Sequence, residues 1–141
     1  MRKWFSGVTA TALGLTAMLS MVAAGSAHAE DRISWNYPGY SSSGVNYHDA
    51  GRVSFASYGD HFGIYDDAKD GYGLALDVRA TKANGTGLSG RHYYYGGGNT
   101  SDSSFLNIDL KEGSEVGFRL CMENSGGDVV FACGDWYYTP A

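Results

Sequence analysis

Tyr72-Gly73-Leu74-Ala75-Leu76-Asp77-Val78-Arg79-Ala80 is the stretch that decides how this chain folds. Tyr72, Leu74, Leu76, Val78 and Ala80 fall at every second position, with Gly73, Ala75, Asp77 and Arg79 between them. Alternation of this kind sends apolar side chains to one face of a β-strand and leaves the other face to water. Upstream, Arg52–Tyr58 and His61–Asp66 carry the same period. Asp67-Ala68-Lys69-Asp70-Gly71 lies between His61–Asp66 and the Tyr72 strand and reads as a hairpin turn, with Gly71 taking a positive φ. Downstream, Thr81–Ser89 is polar and glycine-rich, a connecting loop, and Arg91-His92-Tyr93-Tyr94-Tyr95 is a short strand ended by Gly96-Gly97-Gly98. Leu106, Ile108 and Leu110 point inward from the next strand. After the turn at Lys111–Ser114, Val116, Phe118, Leu120 and Met122 share a face, with Glu115, Arg119 and Cys121 opposite. Val129–Tyr138 reads as the last strand, with Trp136 capping one end of the core.

About seven or eight short strands, with turn residues between them and no helical stretch, predict an all-β fold. The expectation is a single antiparallel β-sandwich spanning residues 52–141, its winding immunoglobulin-like or jelly-roll. Twenty-one Gly and eleven Tyr against two Pro fit that reading, since glycine weakens helices and tyrosine favours strands.

Residues 1–29 predict a secretory signal peptide. Met1-Arg2-Lys3 is basic, an apolar run follows around Val8–Ala24, and Ala27-His28-Ala29 supplies a small-x-small cleavage signal. That run is broken by Thr, Gly and Ser and is too short for a membrane span. The expected product begins at Glu30 and is secreted and extracellular. Without Arg2 and Lys3 it carries 8 basic and 15 acidic side chains, a formal charge of −7. Such a protein repels nucleic-acid phosphates and anionic lipid, so neither nucleic acid nor membrane is an expected partner. Export also places Cys121 and Cys133 where disulfides persist, and two thiols allow one intramolecular pairing.

Residues 30–51 read as an extended arm. Trp35, Tyr37, Tyr40 and Tyr47 recur, while Pro38-Gly39 and Ser41-Ser42-Ser43-Gly44 interrupt any long regular element. Large aromatic side chains on such a segment need a groove, on their own domain or on a partner.

Catalytic patterns are weak by comparison. Asp66, Asp70 and Asp77 fall at the first, fifth and twelfth positions of a calcium loop, but Ala68 holds the third and offers no side-chain oxygen. His48, His61 and His92 have no zinc spacing, and His48-Asp49 lacks a nucleophile to serve. No cofactor is implied, and a metal site beyond that weak calcium candidate is not expected. Fifteen acids make almost any carboxylate pair imaginable, so glycoside hydrolysis gains no specific support. The aromatic side chains remain. Tyr93-Tyr94-Tyr95 must show a ring on each face of its strand, and tyrosine gives large contact area at little entropic cost.

Phe62-x-Ile64-Tyr65-Asp66-x-x-x-Asp70-Gly71-Tyr72-Gly73, then Glu112-Gly113-Ser114-x-Val116-x-Phe118-Arg119-x-Cys121, and a late Cys133 with Trp136 resemble small exported proteins of streptomycetes. Within that group the chain is similar in size and layout to the adaptor subunits of umbrella-shaped antibacterial toxin particles. The resemblance implies a non-enzymatic linker between a lectin subunit and the repeats of a large toxin polypeptide. It also implies that the N-terminal segment enters the lectin's cleft with positions between Ile33 and Tyr47.

Residues and resemblance together predict a secreted adaptor or protein-interaction module. Ile33, Trp35, Tyr37, Pro38, Tyr40 and Tyr47 are the expected anchors on the arm, and Tyr93, Tyr94 and Tyr95 form a second contact face. The alternatives are a carbohydrate-binding module, with exposed rings stacking on sugars, and an inhibitor of an exported hydrolase.

Overall fold

The structure, a computed structural model, describes residues 33–98, 103–124 and 126–141. The expected leader at 1–29 and the first three positions of the expected arm lie outside the described residues. Among the described residues, nine strands form two antiparallel sheets. They are β1 (Ile33–Asn36), β2 (Gly51–Ala56), β3 (His61–Asp66), β4 (Gly73–Thr81), β5 (Gly87–Tyr94), β6 (Ser103–Asn107), β7 (Glu115–Glu123), β8 (Val130–Phe131) and β9 (Tyr137–Pro140). One sheet has the order β1-β2-β3-β6. The other has the order β5-β4-β7-β8, with β9 also paired to β7.

The alternating residues place the core. Val53 and Phe55 from β2, Phe62 and Ile64 from β3, Leu74 and Leu76 from β4, and Val116, Phe118 and Leu120 from β7 are fully buried. Phe55, Phe62 and Phe118 meet across the two sheets with ring centroids 4.7–6.0 Å apart. Burying side chains of this size contributes about 1.5–3 kcal/mol each before conformational entropy is subtracted. The expected all-β sandwich is therefore present, and its inward faces are those the alternation marks.

Several expectations need correction. Gly71 does take a positive φ of 81°, but β3 and β4 are not a hairpin: they lie in opposite sheets. Their apolar faces look at each other across the core, and residues 67–72 form a corner between sheets. Alternation fixes which face is apolar, not which sheet a strand joins. The expected loop 81–89 is shorter, because β5 starts at Gly87 opposite Thr81 and leaves a turn of Lys82–Thr86.

The expected last strand, Val129–Tyr138, is split. Ala132 has a φ of 46°, and residues 132–136 leave the ladder between β8, opposite Met122 and Glu123, and β9, opposite Glu115–Phe118. Trp136 consequently does not cap the core. It lies on the outer face of the second sheet, over the guanidinium groups of Arg79 and Arg119, 4.2 and 4.9 Å from its ring centroid.

The N-terminal segment is extended, but it is not detached. β1 pairs with β2 over four residues, Ala50 belongs to the core and Tyr47 packs against it. Packing does not break at residue 51.

Candidate recognition surface

The N-terminal segment is fastened by the side chain of Asn36, at the end of β1. Asn36 Oδ1 accepts the Leu120 N–H at 3.0 Å, and its amide donates to the Asp135 carbonyl at 3.0 Å. Those are backbone groups of β7 and of the excursion that splits the final strand, so one side chain joins the edges of the two sheets. The Gly134 N–H donates to the Leu120 carbonyl at 2.9 Å, and the Gly39 N–H to the Ala132 carbonyl at 2.9 Å. The backbones approach so closely that a Cβ on Gly39 would lie 2.5 Å from the Cys133 carbonyl oxygen, and one on Gly134 would strike the Tyr37 carbonyl. The Cys121–Cys133 disulfide binds the excursion to β7 beside these contacts; the expected pairing is present, and Cys121 is fully buried. A buried disulfide suits a protein of an oxidising compartment.

Above this seam lies an open groove of about 440 Å³, lined by Trp35, Tyr37, Pro38 and Tyr40 with His48 and Asp135 among the further walls. Trp35 is 43%, Tyr37 37% and Tyr40 68% exposed. Tyr37 stacks on the His48 ring at 4.3 Å between centroids, and His48 Nδ1 is 3.3 Å from Asp49 Oδ1. Tyr40 stands at the base of a tight loop, where it bridges to Asn46 and where the Gly44 N–H returns to the Ser41 carbonyl. The structure thus brings four of the expected arm anchors together on a fixed support.

Not every expected residue offers surface there. Pro38 lines the groove but is buried, so it sets the path of the chain more than it offers surface. Tyr47 faces inward, edge-on to Tyr72 and Phe131, which makes it a packing residue. Ile33 is exposed on the outer face of the first sheet, two residues from Trp35. In the Tyr93–Tyr95 strand, Tyr94 packs on the core, while Tyr93 and Tyr95 are exposed on the second sheet, away from the groove. Tyr95 is also engaged: its hydroxyl donates to Glu123 Oε2 at 2.7 Å, and that bond pushes its phenol up to about 12.

Asn36, His48 and Asp135 were not among the expected anchors. The spacing Trp35-Asn36-Tyr37 held a partial signal, because an amide between two aromatic side chains of a strand points to the opposite face from both. From Trp35 at the groove's wall, an aromatic surface continues over Arg52 to Tyr65 and Phe105 on the first sheet. Arg52 sits 5.6 Å from the Trp35 ring and 4.8 Å from Tyr65, and Tyr65 meets Phe105 edge-on.

The calcium candidate is not assembled. Asp66 is buried and accepts the Gly98 N–H at 3.1 Å, Asp70 accepts the Tyr72 N–H at 2.9 Å, and Asp77 lies between two arginines. Arg91 reaches both Asp77 oxygens, at 2.5 and 2.9 Å, and Arg119 Nε donates to Oδ2 at 3.0 Å. Burial pushes the Asp77 carboxyl up, but the hydrogen bonds from Arg91 and then Arg119 outweigh it and hold it below its ordinary value of 3.8. Burial also raises Asp66, against the Gly98 and Ala68 N–H groups, and raises Glu123, against the Tyr95 hydroxyl. Burial accounts for the two raised carboxyls and the arginine pair for the lowered one.

No protein-family model, no curated protein and no solved structure matches the chain.

Proposed function

We propose that this protein is an exported, non-catalytic recognition module that grips another protein through β1 and the groove of Trp35, Tyr37 and Tyr40. The observation that carries this reading is the mounting of those rings. They are exposed, yet the backbone beneath them is held by Asn36, by two glycine contacts and beside a disulfide. Exposed aromatic side chains on a rigid base lose little entropy on binding, which is how hot-spot residues contribute most of an interface's affinity. β1 is also the outermost strand of its sheet, so a partner strand could add along it. In the finer form of the proposal the partner is a lectin subunit, and the module links it to a large repeat-containing toxin polypeptide.

The test is a pair of substitutions that spare the support, Trp35→Ser and Tyr40→Ser. Tagged wild-type protein is expected to recover a defined partner from its host's culture supernatant. The double variant, with unchanged circular dichroism and melting temperature, is expected to recover less than a tenth as much, the loss of roughly 1.4 kcal/mol or more. Equal recovery would remove the groove from the reading.

A second reading rests on the Trp35, Tyr65 and Phe105 surface: stacking on sugar rings, as in a carbohydrate-binding module. Phe105→Ala should abolish retention on insoluble polysaccharide if this holds, and should leave protein capture through the groove unchanged.

A further inference from the structure

On the side of the sandwich away from β1, the edges of the two sheets face each other without being joined as the seam is. β5 is the outer strand of one sheet and pairs with β4; β6 is the outer strand of the other and pairs with β3. His92 Nε2 and Ser104 Oγ, 3.5 Å apart, link the two edges at one end. Beyond them opens a groove of about 310 Å³ with Val78, Leu88, Leu106 and Ile108 as its apolar floor and Lys82 and Arg91 among its walls.

Gly90 explains why the groove exists. Alternation along β5 directs Leu88, Gly90, His92 and Tyr94 inward, so glycine leaves a gap between Leu88 and His92. Neither usual reason for glycine applies there. Its φ is outside the left-handed region, and an added Cβ would meet nothing nearer than Leu88 Cδ1 at 3.9 Å. The position would accept a larger side chain, which would fill the gap.

The charge of the site narrows its occupant. The chain as a whole is acidic, with 15 Asp and Glu against 10 Lys and Arg, yet Lys82 and His92 line this groove with no carboxylate among its described lining residues, while the Arg91 guanidinium is taken up by Asp77. Two facing strand edges offer main-chain donors and acceptors to an extended backbone.

We propose that the β5–β6 groove receives an extended, acidic segment of another protein. Its apolar side chains would rest on Leu88, Leu106 and Ile108, its backbone would run along the strand edges, and a carboxylate would meet Lys82. The site uses no residue of the β1 groove and stands whether or not that groove binds a partner.

The probe is a synthetic peptide of about eight residues, alternating Val and Thr, with Asp at both ends. Three comparison ligands accompany it: a peptide with Lys in place of Asp, a peptide N-methylated at alternate residues, and hexanoate as a small apolar carboxylate. Saturable binding of the acidic peptide is expected by NMR titration, with amide shifts concentrated in residues 87–92 and 104–108. Affinity should fall roughly tenfold or more for the Lys peptide and for the N-methylated one. Gly90→Val should keep the fold, raise the melting temperature and abolish binding, and Lys82→Glu should weaken it without filling the gap. No saturable binding of the acidic peptide would overturn the proposal. So would hexanoate binding as tightly as the peptide, indifference to N-methylation, binding that survives Gly90→Val, or a self-association in sedimentation that Gly90→Val abolishes.

Discussion

The two flanks of the sandwich are built from the same materials and end differently. At the β1 flank, Asn36, the Gly39 and Gly134 amides and the Cys121–Cys133 bridge bind one sheet's edge to the other's. At the β5–β6 flank the corresponding space is an apolar groove. Glycine appears at both, for opposite reasons. Gly39 and Gly134 sit where no Cβ fits, whereas Gly90 sits where one would fit with room to spare. A closed flank holds an aromatic surface still, and an open one leaves a place for something to enter.

The largest effect should come from cutting the closed flank's covalent link. Cys121→Ala with Cys133→Ala is expected to cost about 3 kcal/mol, the chain-entropy value for a short loop, read as a lower urea midpoint. Reducing the native protein should give a similar loss. Hydrogen exchange should quicken first at Leu120 and Gly134, while amides in residues 87–92 of the open flank should change little. Equal quickening at both flanks would mean that the disulfide supports the whole sandwich and not the seam.

Asn36→Ala is expected to cost about 2 kcal/mol, because it strands the buried-edge Leu120 N–H and the Asp135 carbonyl together. Its second consequence distinguishes it from a generic loss. The Trp35 and Tyr37 rings should become more mobile, visible as broadened NMR ring resonances, before the core unfolds. Asn36→Asp keeps the acceptor for Leu120 but loses the donor to Asp135, and should fall between the two.

The asymmetry of the flanks also marks where the sequence was legible. The inward faces of the long strands could be read because side-chain alternation depends on local geometry alone: Leu74, Leu76 and Val78 are buried where it puts them, although Gly73, Ala75 and Asp77 on the face expected to meet water are buried as well. Sheet membership could not, since a hairpin turn and an inter-sheet corner use the same residues, as Asp67–Gly71 demonstrates. The disulfide was readable from compartment and count. The role of Asn36 was not, because its partners lie 84 and 99 residues away. Of the expected anchors, Trp35, Tyr37 and Tyr40 remained exposed, but Pro38 and Tyr47 turned inward. Residue type tells that a ring prefers contact, not whether the contact is with its own core or with another molecule. Gly90 was silent for the converse reason: a missing side chain leaves no pattern until its neighbours are in place.

A smaller effect tests how the open flank is kept on the sheet. Arg91 belongs to β5, and its two bonds to Asp77 tie that edge strand to β4. Asp77→Asn should cost about 1–2 kcal/mol at neutral pH. That is below the usual penalty for breaking a buried pair, because both arginines are about one-third exposed. The pH dependence has a definite sign. The folded carboxyl titrates below its ordinary 3.8, so its contribution is full above that value and disappears as pH falls through the lower, folded one. The gap between wild type and variant should therefore be constant from neutral pH down to weak acid and close only in strong acid.

The smallest effect has the opposite sign and comes from the other tie on β5. Glu123 is fully buried, accepts the Tyr95 hydroxyl through Oε2, and among the described residues has no partner for Oε1. Burial raises its pKa above 4.5. A raised carboxyl stabilises the fold fully below its unfolded value, and that contribution is lost as pH rises through the folded one. Glu123→Gln removes the charge and can still accept from Tyr95. Its melting temperature should exceed that of the wild type by about 2–4 °C in mild alkali, with the difference shrinking as the medium is acidified. The Tyr95 phenol supplies an independent readout by NMR of ring-labelled tyrosine. It is held up at about 12 chiefly by the bond to Glu123, and with glutamine there it should titrate nearer the ordinary tyrosine value of about 10. If Tyr95 titrates unchanged, its tie to the end of β7 does not operate in solution, and of these two side-chain ties only that of Arg91 to Asp77 supports the β4–β5 ladder.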